Sequence, residues 1–180
     1  MTNVSMREIE NDDIQLIRYW RNLDHVRSRM VMQNYIERDG QRRWFENLTR
    51  NTSFYFIYGL GSRDIGCVNC TKIDRGKKSF EGGIFCGDTE YLNHWVNILA
   101  CLKMYDFAFD ELGLEVSYAT ILLDNPTALN LNTQLGYSMV DSEENNIGRF
   151  VLHKNDYKEK TQGLRKFFAR ETAAGPTWRD

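Results

Sequence analysis

The sequence lacks any long apolar run and any excess of positive charge. No segment approaches the roughly 20 apolar residues that cross a bilayer, and residues 2–13 are largely polar. We therefore expect a cytoplasmic protein with no membrane partner. The net charge is only −2, and the isoelectric point is near 6.0. A nucleic-acid binder needs a basic surface, so we expect no nucleic-acid partner and favour a small-molecule or protein substrate.

Cysteines are also few, and their spacing does not favour a metal centre. The chain has four cysteines, of which Cys67 and Cys70 have the spacing of half a zinc site or of a redox pair. Both fall in a predicted strand, where residues three apart face opposite sides. Cys86 and Cys101 form no second close pair. We therefore expect no metal ion and interpret the thiols as small buried apolar groups.

The chain is long enough for one domain with a sizeable core. It has 180 residues, of which 42% are hydrophobic and 13% aromatic, and it contains no internal repeat or low-complexity segment. From residue 157 onward the sequence becomes basic and helical. We expect a domain over residues 1–156 and a basic helical tail over residues 157–180.

The pattern of apolar residues predicts a mixed α/β layer. Alternation predicts strands, and a spacing of three to four predicts helices. The segment 116–123 is apolar on both faces, which is typical of a central strand covered on both sides. Strands are predicted at 4–9, 54–58, 65–73, 80–86, 116–123, 137–140 and 148–153, and helices at 14–20, 39–48, 92–112 and 126–135.

The segment from Leu112 to Tyr137 carries the sharpest signals. After the apolar strand, Asn125 can cap a helix by accepting a hydrogen bond from a free amide. Pro126 suits the first helical position, and Gly136 supplies a left-handed exit. The segment therefore predicts strand, helix and strand in succession.

These residues resemble a motif of the GNAT superfamily of acyl-CoA-dependent N-acyltransferases. The motif has Asn125, Ala128 three residues later, and the pair Gly136 and Tyr137 about eight residues beyond. Residues 81–85, Glu-Gly-Gly-Ile-Phe, resemble a strand of the same superfamily. The resemblance implies an α/β fold, a single GNAT-like domain whose central mixed, mostly antiparallel sheet is flanked by helices and has splayed central strands. It also implies acetyl transfer from acetyl-CoA, as co-substrate, to an amine.

The resemblance further implies a slot for acetyl-CoA between the strands at 80–86 and 116–123. Backbone groups freed by the splay would bind the pantetheine arm, and the start of the following helix would receive the pyrophosphate. The phosphate loop departs from the family, because Asn93 and Trp95 stand where glycine or another small residue is usual. Asn93 can still tolerate positive φ. The residues expected to contact acetyl-CoA are Phe85, Cys86, Asn93, His94, Trp95, Asn97, Asn125, Ala128 and Asn132.

Glu81 and Asn132 are the candidates for catalysis. An amine with a pKa of about 10.4 is mostly protonated at neutral pH, so the Glu81 carboxylate would serve as a general base, directly or through a water. Many members of the superfamily have a tyrosine four residues after the motif alanine, where this chain has Asn132, and that tyrosine protonates the leaving thiolate. An amide cannot do this, so Asn132 would hold a water or the sulfur, with Tyr118 and Tyr137 nearby. The alternatives are a solvent-exposed edge glutamate and a polar residue on a helix face.

The amino-terminal half is expected to bind the acceptor. Residues 20–22, 26–30 and 41–45 resemble acetyltransferases that modify amino sugars carried on nucleotides, as in pseudaminic acid synthesis. Arginines would meet a diphosphate, and an apolar or aromatic side chain would cover a sugar or base face. Simple helix packing is the alternative for Trp44. The expected acceptor-binding residues are Arg21, Asn22, Arg27, Arg29, Met30 and Trp44.

The sequence thus predicts an acetyl-CoA-dependent N-acetyltransferase that acts on the amine of a nucleotide-linked amino sugar, with a homodimer as an open option. An acetyltransferase of protein amino termini, of the ribosomal-protein type, also fits residues 80–137, although the arginines at 21, 27 and 29 argue against it. A non-catalytic acyl-CoA-binding protein would explain the missing glycines and tyrosine.

Overall fold

A computed structural model describes residues 4–143 and 146–169, which form a seven-stranded sheet with helices on both faces. Residues 107–111 extend the fourth helix in a wider π conformation. The strands are β1 Val4–Glu8, β2 Phe54–Leu60, β3 Arg63–Asp74, β4 Ser79–Cys86, β5 Val116–Leu122, β6 Ser138–Glu143 and β7 Ile147–His153. The helices are α1 Ile14–Asn22, α2 Asp24–Arg27, α3 Arg38–Glu46, α4 Trp95–Asp106, α5 Pro126–Leu135, α6 Lys154–Lys160 and α7 Gln162–Phe167.

The sheet is mixed and mostly antiparallel. Its strand order is β1-β2-β3-β4-β5-β7-β6. Only β4 and β5 run parallel, and all other neighbouring strands are antiparallel. A parallel pair needs a crossover connection, which α4 provides. The predicted α/β class and sheet type are confirmed.

The two central strands separate soon after they pair. The parallel ladder joins only Ser79 to Val116, Phe80 to Ser117 and Glu81 to Tyr118. Beyond that point β4 stays paired with β3, and β5 stays paired with β7. The predicted splay is therefore confirmed, and it opens toward the carboxyl ends of both strands.

The helices divide between the two faces of the sheet. Helices α4 to α7 cover one face, which we call the α4 side, over a large apolar cluster that includes Phe80, Leu99, Tyr105 and Tyr157. Helices α1 to α3 lie on the other face, the α1 side, over a smaller cluster built around Trp20.

The cysteines illustrate the alternation between these faces. Cys67 belongs to the α1-side cluster, and Cys70 belongs to the α4-side cluster. Burial raises the pKa of the Cys67 thiol to about 12. The CxxC pair thus faces opposite sides, as the strand pattern predicted, and its thiols are buried apolar groups.

Local sequence explains the ends of α5. The Asn125 Oδ1 accepts a hydrogen bond from the Ala128 amide at 3.2 Å. Pro126 occupies the first turn, and Gly136 has φ of +102° in the left-handed exit. All three predicted signals therefore act as expected.

Helix α4 begins later than the sequence predicts. A 3-10 turn at Thr89–Tyr91 comes first, and Asn93 then takes a φ of +60°. This left-handed residue interrupts the helical path, so α4 begins at Trp95 rather than at residue 92.

The described part of the predicted tail packs on the α4 side. Tyr157 is fully buried, and its hydroxyl donates to the Leu102 carbonyl at 3.0 Å. Arg165 forms two hydrogen bonds with the Asp106 carboxylate. The division at residue 156 stays a prediction, and residues 170–180 lie outside the described residues.

Two kinds of feature are absent from the described part of the chain. None of its helices combines the length and the apolar character that crossing a bilayer requires. Within the same residues, no three His, Cys, Asp or Glu side chains are grouped closely enough to hold a metal ion.

Candidate active site

A slot opens where the pairing of β4 and β5 stops. Past Glu81 and Tyr118, residues 82–86 pair only with β3, and residues 119–122 pair only with β7. Among the described strands, none fills the gap between these edges. Facing backbone N–H and C=O groups suit an extended ligand that carries amides. The slot therefore fits a pantetheine arm, and Phe85 and Cys86, both predicted contacts, lie along it.

A chain of hydroxyl groups crosses the narrow end of the slot on the α4 side. The Tyr137 hydroxyl lies 2.8 Å from the Tyr105 hydroxyl and 2.5 Å from the Ser117 Oγ. A Cβ atom on Gly82 would collide with the Tyr105 hydroxyl. Since Ser117 belongs to β5 and Gly82 to β4, this hydroxyl chain joins the two strands where their backbone pairing ends.

The α1 side of the sheet has a polar floor beside the slot. Tyr55, Asn69 and Gly83 lie next to one another on three adjacent strands. A Cβ on Gly83 would stand 2.9 Å from the Asn69 Oδ1, so the glycine leaves room for that amide. The half-buried Asn69 side chain has no hydrogen bond to any residue that the structure describes. Its amide is free to bind a ligand.

Glu81 lies at the narrow end of the slot. It is the last β4 residue that pairs with β5. Its Oε1 is 2.8 Å from the Lys72 Nζ, and the two side chains are 30% and 73% exposed. An exposed ion pair contributes little stability. The carboxylate can therefore exchange Lys72 for another cationic or protonated partner, as a general base must.

Arg21, at the end of α1, is a half-buried cation that lies over an aromatic ring. Its guanidinium carbon lies 5.8 Å from the centre of the Phe85 ring. Its Nη1 is buried and has no hydrogen-bond partner among the described residues. Burial lowers the pKa of the guanidinium, against smaller opposing effects of Tyr55 and Cys67. Because an arginine stays protonated even so, the site holds a half-buried cation with an unsatisfied N–H group, which favours an anionic ligand.

Two other predicted acceptor residues have structural contacts. The Asn22 side chain donates to the Ile36 carbonyl at 2.9 Å and accepts from the Ile36 amide at 2.8 Å. It thereby anchors the connection that follows α2. The Trp44 ring packs edge-on against Tyr55 at 4.9 Å between ring centres. Trp44 therefore borders the polar floor from α3.

The segment from α2 to residue 30 bridges the open end of the slot. The His25 Nε2 lies 3.2 Å from the Cys86 carbonyl at the end of β4. A carbonyl only accepts, so this nitrogen carries the hydrogen. The Arg29 Nη1 donates to the Asp124 carbonyl, just after β5, at 3.0 Å. Met30 packs against the α1-side cluster.

An open cavity of about 420 Å³ lies against the same segment. Of the predicted acceptor residues, Arg27 lines it, and its Nη2 is 2.8 Å from the Asp24 carboxylate. His25 was not predicted to contribute here, since a lone histidine carries no motif. The cavity is lined by Asp24, His25, Arg27, Ser28 and Gln33.

Polar side chains at the start of α4 are already engaged in hydrogen bonds within the protein. The His94 Nδ1 caps the Val96 amide at 3.3 Å. The Asn97 side chain donates to the Tyr91 carbonyl and accepts from the Tyr58 hydroxyl. These contacts order the turn before Trp95, so anion binding there would rely on the remaining backbone amides and the helix dipole.

Arg63 lies beside the turn before α4, where two carboxylates already balance its charge. Its guanidinium pairs with the carboxylates of Asp88 and Glu90 and lies 5.2 Å from the centre of the Tyr91 ring. Glu90 occupies the position where the family usually has glutamine or arginine. Arg63 was not predicted to lie here, because β3 is far from the phosphate loop along the chain.

On α5, hydrogen bonds within the helix hold the side chains that were predicted to contact acetyl-CoA. Asn125 is buried as the helix cap. The Asn132 Nδ2 donates to the Ala128 carbonyl one turn earlier at 2.8 Å. Asn132 therefore keeps its side-chain oxygen as an acceptor and one further N–H as a donor.

Comparison with known proteins agrees with this geometry. The model of the acetyltransferase (GNAT) domain family matches residues 3–138. A solved domain from Methanocaldococcus jannaschii is 17% identical, with a TM-score of 0.77 over 85% of this chain and 99% of that one. A spermidine N-acetyltransferase from Vibrio cholerae, in complex with CoA and spermine, is 18% identical, with a TM-score of 0.76 over 87% and 98%.

No curated protein sequence matches this chain. At these identities the solved structures show a shared fold, while the family model extends over most of the described residues. The strand splay, the Asn125 cap and the glycine-rich β4 all lie within the matched region. The chain therefore belongs to the acetyltransferase (GNAT) domain family.

Proposed function

We propose that this N-acetyltransferase binds acetyl-CoA between β4 and β5 and transfers the acetyl group to an amine that carries an anionic group. A nucleotide-linked amino sugar is the acceptor class that fits the sequence and the site together. The observation that supports the donor is the splay after Glu81 and Tyr118. The observation that supports the acceptor is the buried Nη1 of Arg21, which has no hydrogen-bond partner among the described residues.

The donor would be held mainly by backbone. The free edge at 82–86 offers amides and carbonyls to the pantetheine arm, and amides near Phe85 and Cys86 would stabilise the oxyanion. The pyrophosphate would lie toward Asn93, His94, Trp95 and Asn97, where the α4 dipole is positive. The opposite wall of the slot would be formed by α5, through Asn125, Ala128 and Asn132.

The acceptor would enter from the α1 side. Its amine would lie near Glu81 and Asn69, because a carboxylate and an amide oxygen both accept hydrogen bonds from an amine. Arg21 lies over Phe85, two residues along β4 from Gly83, which corresponds to about 7 Å. An amine and an anion separated by one sugar ring match this spacing.

The remaining arginines would extend the binding surface. Arg27 lines the cavity beside α2, and Arg29 lies across the open end of the slot. Met30 and Trp44 supply apolar surface around this region. A nucleotide beyond the diphosphate would contact this surface. Cytoplasmic location and a homodimer remain predictions within this proposal.

Two successive measurements test the proposal. Calorimetry should first show that CoA binds, and an absence of binding at millimolar ligand would contradict the donor assignment. Product mass should then show acetylation of an amino sugar linked to a nucleoside diphosphate, compared with the same sugar lacking the diphosphate. We expect the linked form to have at least a tenfold higher kcat/KM, because a hydrogen bond to a charged group contributes about 1.5–3 kcal/mol.

Other acceptor classes serve as contrasts in the same assay. A polyamine or a peptide amino terminus that outperforms every anionic amine would overturn the acceptor assignment. If CoA binds but no acceptor class is acetylated, a non-catalytic acyl-CoA-binding protein becomes the better explanation.

A further inference from the structure

Tyr118 lies on β5 directly beside the candidate base. It is the partner of Glu81 in the parallel ladder, at the last pair before the slot opens. Neighbouring strands are about 4.8 Å apart, so the two residues stand side by side across β4 and β5. An amine that contacts Glu81 therefore lies close to Tyr118.

The alternation of side chains places both residues on the same face of the sheet. The β5 residues on either side of Tyr118 are buried on the α4 side. The β4 residues on either side of Glu81 also face the α4 side, where Gly82 lies under the Tyr105 ring. Since side chains alternate along a strand, Tyr118 and Glu81 both face the α1 side.

Helices α1 to α3 do not cover this part of the sheet. The α1-side cluster draws on β2, β3 and β4, and within the described residues it contains none from β5, β6 or β7. Tyr118 is accordingly 47% exposed, and Thr120, two residues further along the same face, is exposed as well. The helices thus form one wall of an open groove, and the uncovered face of β5 forms its floor.

The Tyr118 side chain makes no specific interaction within the described part of the chain. It forms no hydrogen bond, ion pair or ring contact there. An aromatic ring that is half open to water leaves apolar surface that a ligand can bury. Tyr19 and Tyr35 are more exposed, but they lie on α1 and on the connection before α3. Its place beside Glu81 is what distinguishes Tyr118.

We propose that Tyr118 is a specificity-determining residue of the acceptor site, whose ring packs against the carbon skeleton that carries the reacting amine. This inference rests on the proposed function, in which Glu81 receives the amine on the α1 side. The ring of an amino sugar presents a face of C–H groups, and such a face matches the flat ring of tyrosine. Asn69 would contact the amine from β3, and Tyr118 would contact its carbon skeleton from β5.

Packing of this kind acts on binding rather than on the chemical step. The ring contacts carbons whose charge does not change in the reaction, so it stabilises the bound acceptor and the transition state equally. Loss of such uniform binding raises the KM and leaves kcat unchanged. The ring should also favour cyclic acceptors, because an acyclic amine has no flat face to place against it.

The test compares Tyr118→Thr with the wild-type protein. Threonine favours strands, keeps a hydroxyl group and removes the ring. For an amino sugar linked to a nucleoside diphosphate, we expect the KM to rise about fivefold to tenfold, as for the loss of an aromatic contact, with kcat nearly unchanged. For an aminoalkyl ester of the same nucleoside diphosphate, the KM should change less than about twofold. Calorimetry should show an unchanged affinity for CoA.

Two further variants serve as matched controls. Tyr118→Phe keeps the ring and removes the hydroxyl group, so its KM for the amino sugar should stay within about twofold of the wild-type value. Tyr19→Ala removes an exposed tyrosine from the solvent side of α1, and its KM should not change. Should Tyr118→Thr not fold, Tyr118→Val provides another strand-forming residue without a ring.

The outcomes separate this inference from the proposed function. If the amino sugar is acetylated but removal of the ring leaves its KM unchanged, the inference is overturned and the proposed function stands. An equal rise in Tyr118→Phe, or weaker CoA binding in Tyr118→Thr, would also overturn the inference. If a polyamine or a peptide amino terminus is the better acceptor, the proposed acceptor class fails, and an unchanged KM for that acceptor in Tyr118→Thr overturns the inference too. An absence of acetyl transfer to any amine overturns both.

Discussion

The two sides of the sheet satisfy their buried polar groups differently around the slot. On the α4 side, the hydroxyls of Tyr105, Tyr137 and Tyr157 all have hydrogen-bond partners inside a large apolar cluster. On the α1 side, the half-buried Arg21 has a buried Nη1 without a hydrogen-bond partner among the described residues, and the apolar cluster there is much smaller. A folded protein gains nothing from a buried N–H group that lacks a hydrogen bond. The difference indicates that the α4 side stabilises the fold, whereas the α1 side is arranged for a ligand.

The largest expected effect is a stability difference between the two sides. Phe109→Ala should lower the free energy of unfolding by about 3–5 kcal/mol, because Phe109 is fully buried among Phe80, Tyr105 and Tyr157. Phe85→Ala on the α1 side should cost less, since that ring is 9% exposed beside the acceptor site. Urea unfolding measures both, and equal losses would contradict the contrast.

The next effect concerns catalysis at the narrow end of the slot. Glu81→Gln should reduce the rate by about 10² or more, chiefly at low pH, because a general base matters most when the amine is protonated. Lys72→Met breaks the same ion pair but keeps the carboxylate, so it should retain most activity between pH 6 and 9. Similar losses in both variants would assign Glu81 a structural role.

A smaller effect tests the Arg21 guanidinium directly. Arg21→Met should raise the KM for an anionic acceptor at least tenfold and leave CoA affinity unchanged. Its free energy of unfolding should stay the same or rise, since a buried N–H group without a hydrogen-bond partner among the described residues is removed. Arg42→Met is the control for charge, because Arg42 is exposed on α3. A loss of stability in Arg21→Met without a change in KM would mean that Arg21 supports the fold.

The smallest effect is a difference in acid sensitivity. Burial alone would raise the pKa of Asp13, but hydrogen bonds from Arg7 and the Glu10 amide lower it below its ordinary value. The stabilisation is therefore present above the ordinary pKa and is lost as the pH falls through the lowered one, below about pH 4.

Asp13→Asn should remove this part of the pH dependence. The free energy of unfolding should then fall less steeply as the pH drops below about 4. Asp110→Asn, at the end of the α4 side, should change the curve less. The pKa of Asp110 is also lowered, where hydrogen bonds from Lys158 and Lys154 outweigh burial, but its side chain is 46% exposed. A larger effect at Asp110 would reverse the comparison.

Local signals in the sequence predicted much of the fold. The cap at Asn125, the proline after it and Gly136 define α5 through interactions within a few residues, so no tertiary information was needed. Alternation and apolar runs predicted the described strands, with small differences at the ends. The expectation that the strand at 116–123 is covered on both faces was wrong, because β5 buries one face and exposes Tyr118 and Thr120 on the other. The start of α4 was placed too early, because Asn93 forms a left-handed turn. The Asn97 side chain next to this turn bonds to the nearby Tyr91 carbonyl and to the hydroxyl of Tyr58, which comes from β2.

The sequence by itself determined the order of the elements, the family and the candidates Glu81, Asn132 and Arg21, because these depend on residue type and spacing along the chain. Only the tertiary structure decided which groups meet across strands. It showed the hydroxyl chain from Ser117 to Tyr105, the place of Arg63 near the phosphate loop, and the contact of His25 with Cys86. Each of these joins residues far apart in the chain. Their proximity follows from strand order and splay, which no local pattern encodes.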